Sequence, residues 1–244
     1  MSLLSGPFSQ LNFYLTRPAP CPYLPGQVEQ KIFTQLSGKA EDDFLLNSTL
    51  SQNGFRRSQA MAYRPACPTC MACVPLRIVV NDFAPSASLR RILQRNADLT
   101  SAIVPVAEAG KLAGLFARYQ QSRHPESDMA TMQEADFLSM MQDGSANAFL
   151  FTLKEGEHTL AAMLVDRVHH GASAVYSYFE PNESARSLGN ALILRLVDCV
   201  KAEGLEYLYL GYWIRDCRKM AYKARFPALE RLGPDGWEAF TPLG

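Results

Sequence analysis

Several features that would settle a function on sight are missing from these 244 residues, and each absence removes a class. Lysine plus arginine (24) equals aspartate plus glutamate (24), so no global field exists to hold a polyanion, and any nucleic acid has to be bound by a local patch. No run of 18 apolar residues is present, and residues 1–10 carry no cationic, apolar, small-residue leader. A soluble, cytoplasmic chain without a membrane partner is therefore expected. Low-complexity tracts, internal repeats and a Gly/Ser linker are also lacking. With 48% hydrophobic residues the chain should instead bury one large core or two smaller ones. Histidine is scarce, at four residues, so few side chains are set by default to exchange protons near neutral pH.

What is present alternates between short β-prone runs and helical ones. Residues 11–16 read as a strand, and Pro18, Pro20, Pro22 and Pro25 then force an extended, turned segment. Residues 30–36 predict a strand, 40–52 a helix ending at Asn53-Gly54, 55–64 a strand and 74–80 another. Ser86 or Ser88 is placed to cap a helix running to Leu99. Residues 103–107 predict a strand and 111–122 a helix. Thr131-Met132-Gln133-Glu134 has capping-box form ahead of a helix that Gly144 ends. Three β-like runs follow, at 148–153, 159–169 and 174–179. The fold class implied is α+β, with a mixed sheet. A boundary at residues 102/103 would separate a cysteine-containing N-terminal α/β domain (1–102) from a C-terminal domain (103–244).

Residues 174–226 concentrate the chemistry. A strand to Phe179, a helix with Leu188, Leu192, Leu196, Cys199 and Val200 on one face, a stop at Gly204 and a strand over 205–210 make a βαβ crossover with two parallel strands. Arg186, Gly189 and Asn190 lie at its turn, where unpaired helical N–H groups can hold a phosphate or an oxyanion. Beyond it, Arg215, Arg218, Lys219, Lys223 and Arg225 face a single Asp216, with Tyr212, Trp213, Tyr222 and Phe226 interleaved. That alternation suits a single-stranded nucleic-acid end, with phosphates neutralised and bases stacked; a solvated helix with core aromatics is the alternative.

Cys67, Cys70 and Cys73 form a C-x2-C-x2-C run, and Cys21 can complete a four-thiolate site for zinc or an iron–sulfur cluster. A reduced thiol cluster that simply packs the N-terminal region is the other reading. Cys199 reads as core, and Cys217 lies among cations without a nearby histidine to activate it. Arg123 and His124 end a helix before Pro125, where the imidazole either accepts a proton or merely complements the helix C-terminus.

Taken together, CPYLPGQVEQKIF at 21–33, YRPACPTCMACVPLRI at 63–78, RYQQSRH at 118–124 and the YSYFEP-to-YKARF segment at 176–226 resemble the bacterial aminoacyl-tRNA to protein transferases, most closely the aspartate/glutamate leucyltransferases. Ser127 stands where the family pattern has glycine. The resemblance implies transfer of leucine from leucyl-tRNA to proteins beginning with Asp or Glu, marking them for N-degron proteolysis. It also implies a GNAT-like acyltransferase domain at the C-terminus, consistent with the R-x-x-G-x-A turn.

An aminoacyl ester is already activated, so the lack of a P-loop or nucleophile elbow is expected and no cofactor is required for the chemistry. On this view Tyr178, Glu180 and Asp216 are candidates to orient the amine. Arg186, Gly189, Asn190, Trp213, Arg215, Lys219, Tyr222 and Lys223 are candidates for the tRNA or aminoacyl end. Arg77, Arg123 or His124 would bind the acidic N-terminus of the acceptor. Three rivals stand beside this reading: an arginyl-tRNA donor, an acetyl-CoA-dependent N-acyltransferase, and a non-catalytic RNA-binding module.

Overall fold

The computed structural model describes residues 11–36, 40–143 and 147–241. Neither the leader reading at residues 1–10 nor the helix stop at Gly144 falls on described residues. In chain order the first elements are β1 (Tyr14–Leu15), β2 (Ala19–Pro20), β3 (Val28–Glu29), β4 (Lys31–Gln35), α1 (Ala40–Gln52), β5 (Arg56–Ser58), β6 (Met61–Pro65) and β7 (Val74–Val79). Then come α2 (Ala87–Arg95), β8 (Thr100–Pro105), α3 (Ala113–Arg123), α4 (Glu134–Gln142), β9 (Ala148–Glu155), β10 (His158–Val168) and β11 (Gly171–Phe179). The crossover helix α5 (Leu188–Ala202) leads to β12 (Tyr207–Trp213), the short α6 (Arg218–Ala221), β13 (Leu229–Gly233) and β14 (Gly236–Ala239).

An eight-stranded sheet in the order β14-β13-β7-β12-β11-β10-β9-β8 is the frame. Its neighbours pair antiparallel, except β11 and β12, which the α5 crossover makes parallel. This is the mixed α+β sheet expected. Period-two alternation along β9 sends Phe149, Phe151 and Leu153 to one face and Leu150 to the other. On the first face they meet Leu188, Leu192, Leu196 and Val200, one stripe of α5. On the second, Leu150, Leu164 and Tyr178 meet Leu115 and Phe116 of α3 and Phe137 and Met141 of α4. Ser86 caps α2 as expected, accepting from the Leu89 N–H. The capping box expected at Thr131 does not form: Gln133 is the N-cap and makes no side-chain cap, while the Thr131 hydroxyl turns back to the Asp128 carbonyl.

A smaller antiparallel sheet, β1-β4-β6-β5, packs beside this frame. The sequence division at 102/103 falls inside β8, and β7 is built into the large sheet between β13 and β12. By sheet membership the smaller layer closes with β6.

A buried ion pair joins the two layers. Arg57 donates to both Asp166 oxygens, at 2.6 and 2.7 Å, with Asn47 adding a bond at 3.3 Å. Trp237 Nε1 donates to Gln52 O, and the Tyr212 hydroxyl to Gly54 O at 2.8 Å.

Candidate functional site

Parallel pairing of β11 with β12 covers only Gly171–Ser173 against Tyr207–Tyr209. Beyond it each strand slips register with its outer neighbour: β11 between its partners at Leu164/Val165, and β12 between Tyr209 and Gly211. Such bulges bend a strand and free a backbone group, so the two strands part toward their C-terminal ends. That is where open α/β sheets place ligands. Arg56 reaches into the opening from β5 and donates to the freed Val175 carbonyl. Gly211, at φ +71°, has no side chain on that side; a Cβ there would run into the Arg56 guanidinium.

Aromatic residues line the mouth of the split. Tyr119 packs edge-on to Phe179, with centroids 4.8 Å apart, and to His124 at 5.7 Å. The helix start at Gly189 sits over Phe179, where a Cβ would come within 3.2 Å of the ring. The Tyr176 hydroxyl accepts from Gln120 Nε2 at 2.7 Å. Burial pushes the Tyr119 phenol up to about 12, reinforced by Tyr176 and Tyr222 and opposed by Arg123. His124 is displaced below the usual imidazole value, first by burial and then by Lys219, whose Nζ lies 3.5 Å from Nδ1; Glu126 works against this. Burial and Lys219 both favour the neutral imidazole at cellular pH. Lys219 also pairs with Glu126 at 3.2 Å. Ser127 needs no glycine-like backbone: at φ −89° it caps a turn, its Oγ accepting from the Met129 N–H.

Gly189, Arg123, His124, Lys219 and Tyr222 thus converge on the split, while other expected residues are engaged elsewhere. Tyr178 is fully buried against Phe116 and Phe137, and its hydroxyl finds no partner among the described residues; burial alone drives its pKa up, so it cannot reach an amine. Glu180 accepts from Arg118, at 2.9 and 3.1 Å. Asp216 and Arg215 are exposed, the latter with its guanidinium carbon 6.0 Å from the Trp213 ring, and Trp213 itself is buried against Phe240. Arg186 does not face a phosphate: Asp98, Glu155 and Glu183 hold it at 2.9, 2.7 and 3.2 Å. The Asn190 N–H is taken by Ser187 O at 3.0 Å, and Ser187 is left-handed at φ +54°.

Two cationic assignments are corrected by packing. Lys223 is buried, donating to Tyr212 O at 2.7 Å, and burial and Arg56 together hold its pKa well below the lysine range. An amine enclosed in the fold and already donating to a backbone carbonyl cannot steer tRNA. Arg77 is stacked on Tyr207 (3.6 Å) and Trp237 (4.4 Å) and paired with Glu230 at 2.7 Å, which consumes the fork expected for the acceptor. Reading alone missed Arg56, Tyr119, Tyr176 and Phe179. The only signal for Arg56 was a pair of adjacent arginines on one short strand, which period two sends to opposite faces.

Cys21, Cys67, Cys70 and Cys73 do share one small cavity, of about 20 Å³, with Tyr23, Tyr63 and Tyr212. Room there suffices for roughly one water. Burial pushes the Cys73 thiol up to about 12, with Cys67, Cys21 and Cys70 adding to the effect, whereas a metal ligand must be a thiolate. Cys67 is engaged with the Gln30 backbone. Among the described residues no three His, Cys, Asp or Glu are disposed to hold a metal ion. As placed, the four thiols line one cavity without being gathered into a group that could hold a metal ion. No helix among the described residues is long and apolar enough to cross a membrane.

The sequence matches two family models, described as arginine-tRNA-protein transferase N terminus (residues 19–91) and C terminus (residues 111–233). Among curated proteins, an aspartate/glutamate leucyltransferase of Paramagnetospirillum magneticum is 48% identical over 231 residues, 94% of each chain. One of Methylobacterium sp. strain 4-46 is 47% identical and covers 96% of this chain and 98% of its own. Among solved structures, L-PGS from Bacillus licheniformis overlaps 59% of this chain and 47% of its own at 18% identity, with a TM-score of 0.46, too slight a likeness to build on.

Proposed function

We propose an activity from one premise: the chain belongs to the aspartate/glutamate leucyltransferases, within the aminoacyl-tRNA to protein transferases. It is an aminoacyltransferase that moves leucine from leucyl-tRNA to the N-terminal Asp or Glu of a protein. The observation that carries this reading is identity of 46–48% over nearly the whole length of the leading relatives. The activity assigns the chain to the cytoplasm, and its products to N-degron proteolysis.

In the reaction the acceptor's α-amine attacks the ester carbonyl. A C–N bond forms, the bond to the terminal ribose oxygen breaks, and one proton passes from the amine to that oxygen. Neutral His124 on the rim is suited to relay this proton. Tyr119 and Phe179 at the mouth are suited to the terminal base, and Lys219, with exposed Arg215 and Arg218, to the acceptor-end phosphates. Holding amine and ester together can supply roughly 7–11 kcal/mol. The ester is activated before it arrives, so this scheme draws no step from a cofactor.

The test is incubation with labelled leucyl-tRNA, arginyl-tRNA and acetyl-CoA, each with peptides beginning Asp, Glu or Ala. Leucine on the Asp and Glu peptides alone is expected. Arginine incorporation without leucine would overturn the donor, and acetylation would overturn the class.

A further inference from the structure

The split between β11 and β12 contains a cation that the fold does not neutralise. The two buried arginines among the described residues, Arg57 and Arg77, are each tied to a carboxylate. Arg56 is half-buried and its recorded hydrogen bond goes to a neutral carbonyl, that of Val175; no Asp or Glu among the described residues lies within ion-pair reach. Around it stand Tyr176, Tyr212 and Tyr222, and the enclosed amine of Lys223, whose pKa burial and Arg56 itself hold down. The strand geometry makes room for this group: two strands bulge apart, and Gly211 withholds the side chain that would displace it. A guanidinium has five N–H donors in a rigid fork, so one bond to Val175 leaves donors over for a planar anion.

Resting on the transferase reading above, we propose that Arg56 is the residue that recognises the carboxylate of the acceptor's N-terminal Asp or Glu. Its depth decides this against Arg123, which lies over the Phe179 ring at 5.8 Å on the exposed rim. Exposed ion pairs contribute little in water, while one in a half-buried, tyrosine-lined wedge keeps most of its strength. A side chain that reaches down to Arg56 leaves its α-amine toward the mouth, where His124 and the ester would be. Asparagine and glutamine present a neutral amide and would leave the cation unpaired.

The experiment measures leucine transfer from leucyl-tRNA to peptides beginning Asp, Glu, Asn or Gln, with wild type, R56Q and R56K. For R56Q, kcat/KM on Asp and Glu peptides should fall about 10- to 100-fold, the size of a lost charge-assisted bond. The KM for leucyl-tRNA should hold, and the Asp-to-Asn preference should collapse. R56K keeps charge but not the fork, so its preference should fall at least about 5-fold. If R56Q does not fold, R56K decides alone. An Asp-to-Asn ratio equal to wild type, whatever the melting temperature, would make Arg56 a structural brace and overturn the proposal. So would a loss confined to the KM for leucyl-tRNA. A wild-type protein that leucylates neither acidic peptide defeats the transferase reading itself.

Discussion

Replacing Asp166 with alanine leaves the Arg57 guanidinium charged and buried with neutral acceptors alone, Gln59 O at 3.2 Å and Asp143 O at 2.9 Å. The side chains of Arg57 and Asp166 are 1% and 0% exposed, so water cannot replace the lost carboxylate. Breaking such a pair from one side costs about 3–5 kcal/mol. For a chain of this size that lowers Tm by about 6–20 °C. Thermal and urea unfolding, followed by circular dichroism, give the number. The double variant R57M/D166L removes the stranded charge and keeps the volume, so it should recover most of the loss. A single-variant cost under about 1 kcal/mol, or a double variant no more stable than D166A, would show that the two layers are not held by this pair.

Because His124 is depressed below the ordinary imidazole pKa, of about 6.5, the acid limb of kcat/KM should have its midpoint below that value, and H124A should abolish the limb. A limb that survives H124A rules the imidazole out as proton relay. The same displacement means that protonation opposes folding, so the stability owed to neutral His124 is lost as pH falls below about 6.5. Lys219→Ala should weaken tRNA binding and reduce the log–log salt slope by about one phosphate contact, while Lys223→Met should leave that slope unchanged, since that amine is enclosed in the fold and spent on Tyr212 O. Equal slopes for wild type and K219A would move the tRNA contacts elsewhere. Tyr178→Phe deletes a buried hydroxyl without a partner among the described residues, so stability should hold or rise by about 1 kcal/mol with activity intact. A large loss of turnover would return Tyr178 to the chemistry.

Local pattern made the crossover legible. A helical stripe ending at Gly204, followed by a period of two, is dictated by near neighbours, and α5 and β12 fall within a few residues of those bounds. Helix α1 spans the stretch read for it, Ala40–Gln52. The partners of charges were not legible, because they come from far along the chain. Arg57 finds Asp166, and Arg56 finds the Val175 carbonyl, across more than a hundred positions. Nor does a run of cations say which member points inward. Lys223 belongs to a basic segment and is buried, because the tight turn after α6 directs it at Tyr212 O. The cysteine spacing announced a cluster, and Cys21 does join it; whether thiols become ligands depends on their spacing in three dimensions and on their protonation.

The position of β7 has a consequence for synthesis on the ribosome. Both of its neighbours, β12 and β13, are made long after it. Elongation from Val79 to Tyr207 takes roughly 6–25 s at typical rates. Throughout that interval a strand carrying Leu76, Ile78 and Val79 has both hydrogen-bonding edges open. Such edges are templates for pairing with another chain, and non-local strand pairings are slow to close. A nascent chain stalled before β12 should therefore be a client of chaperones, and a chain cut before β13 should aggregate even though the split and its tyrosines are already encoded.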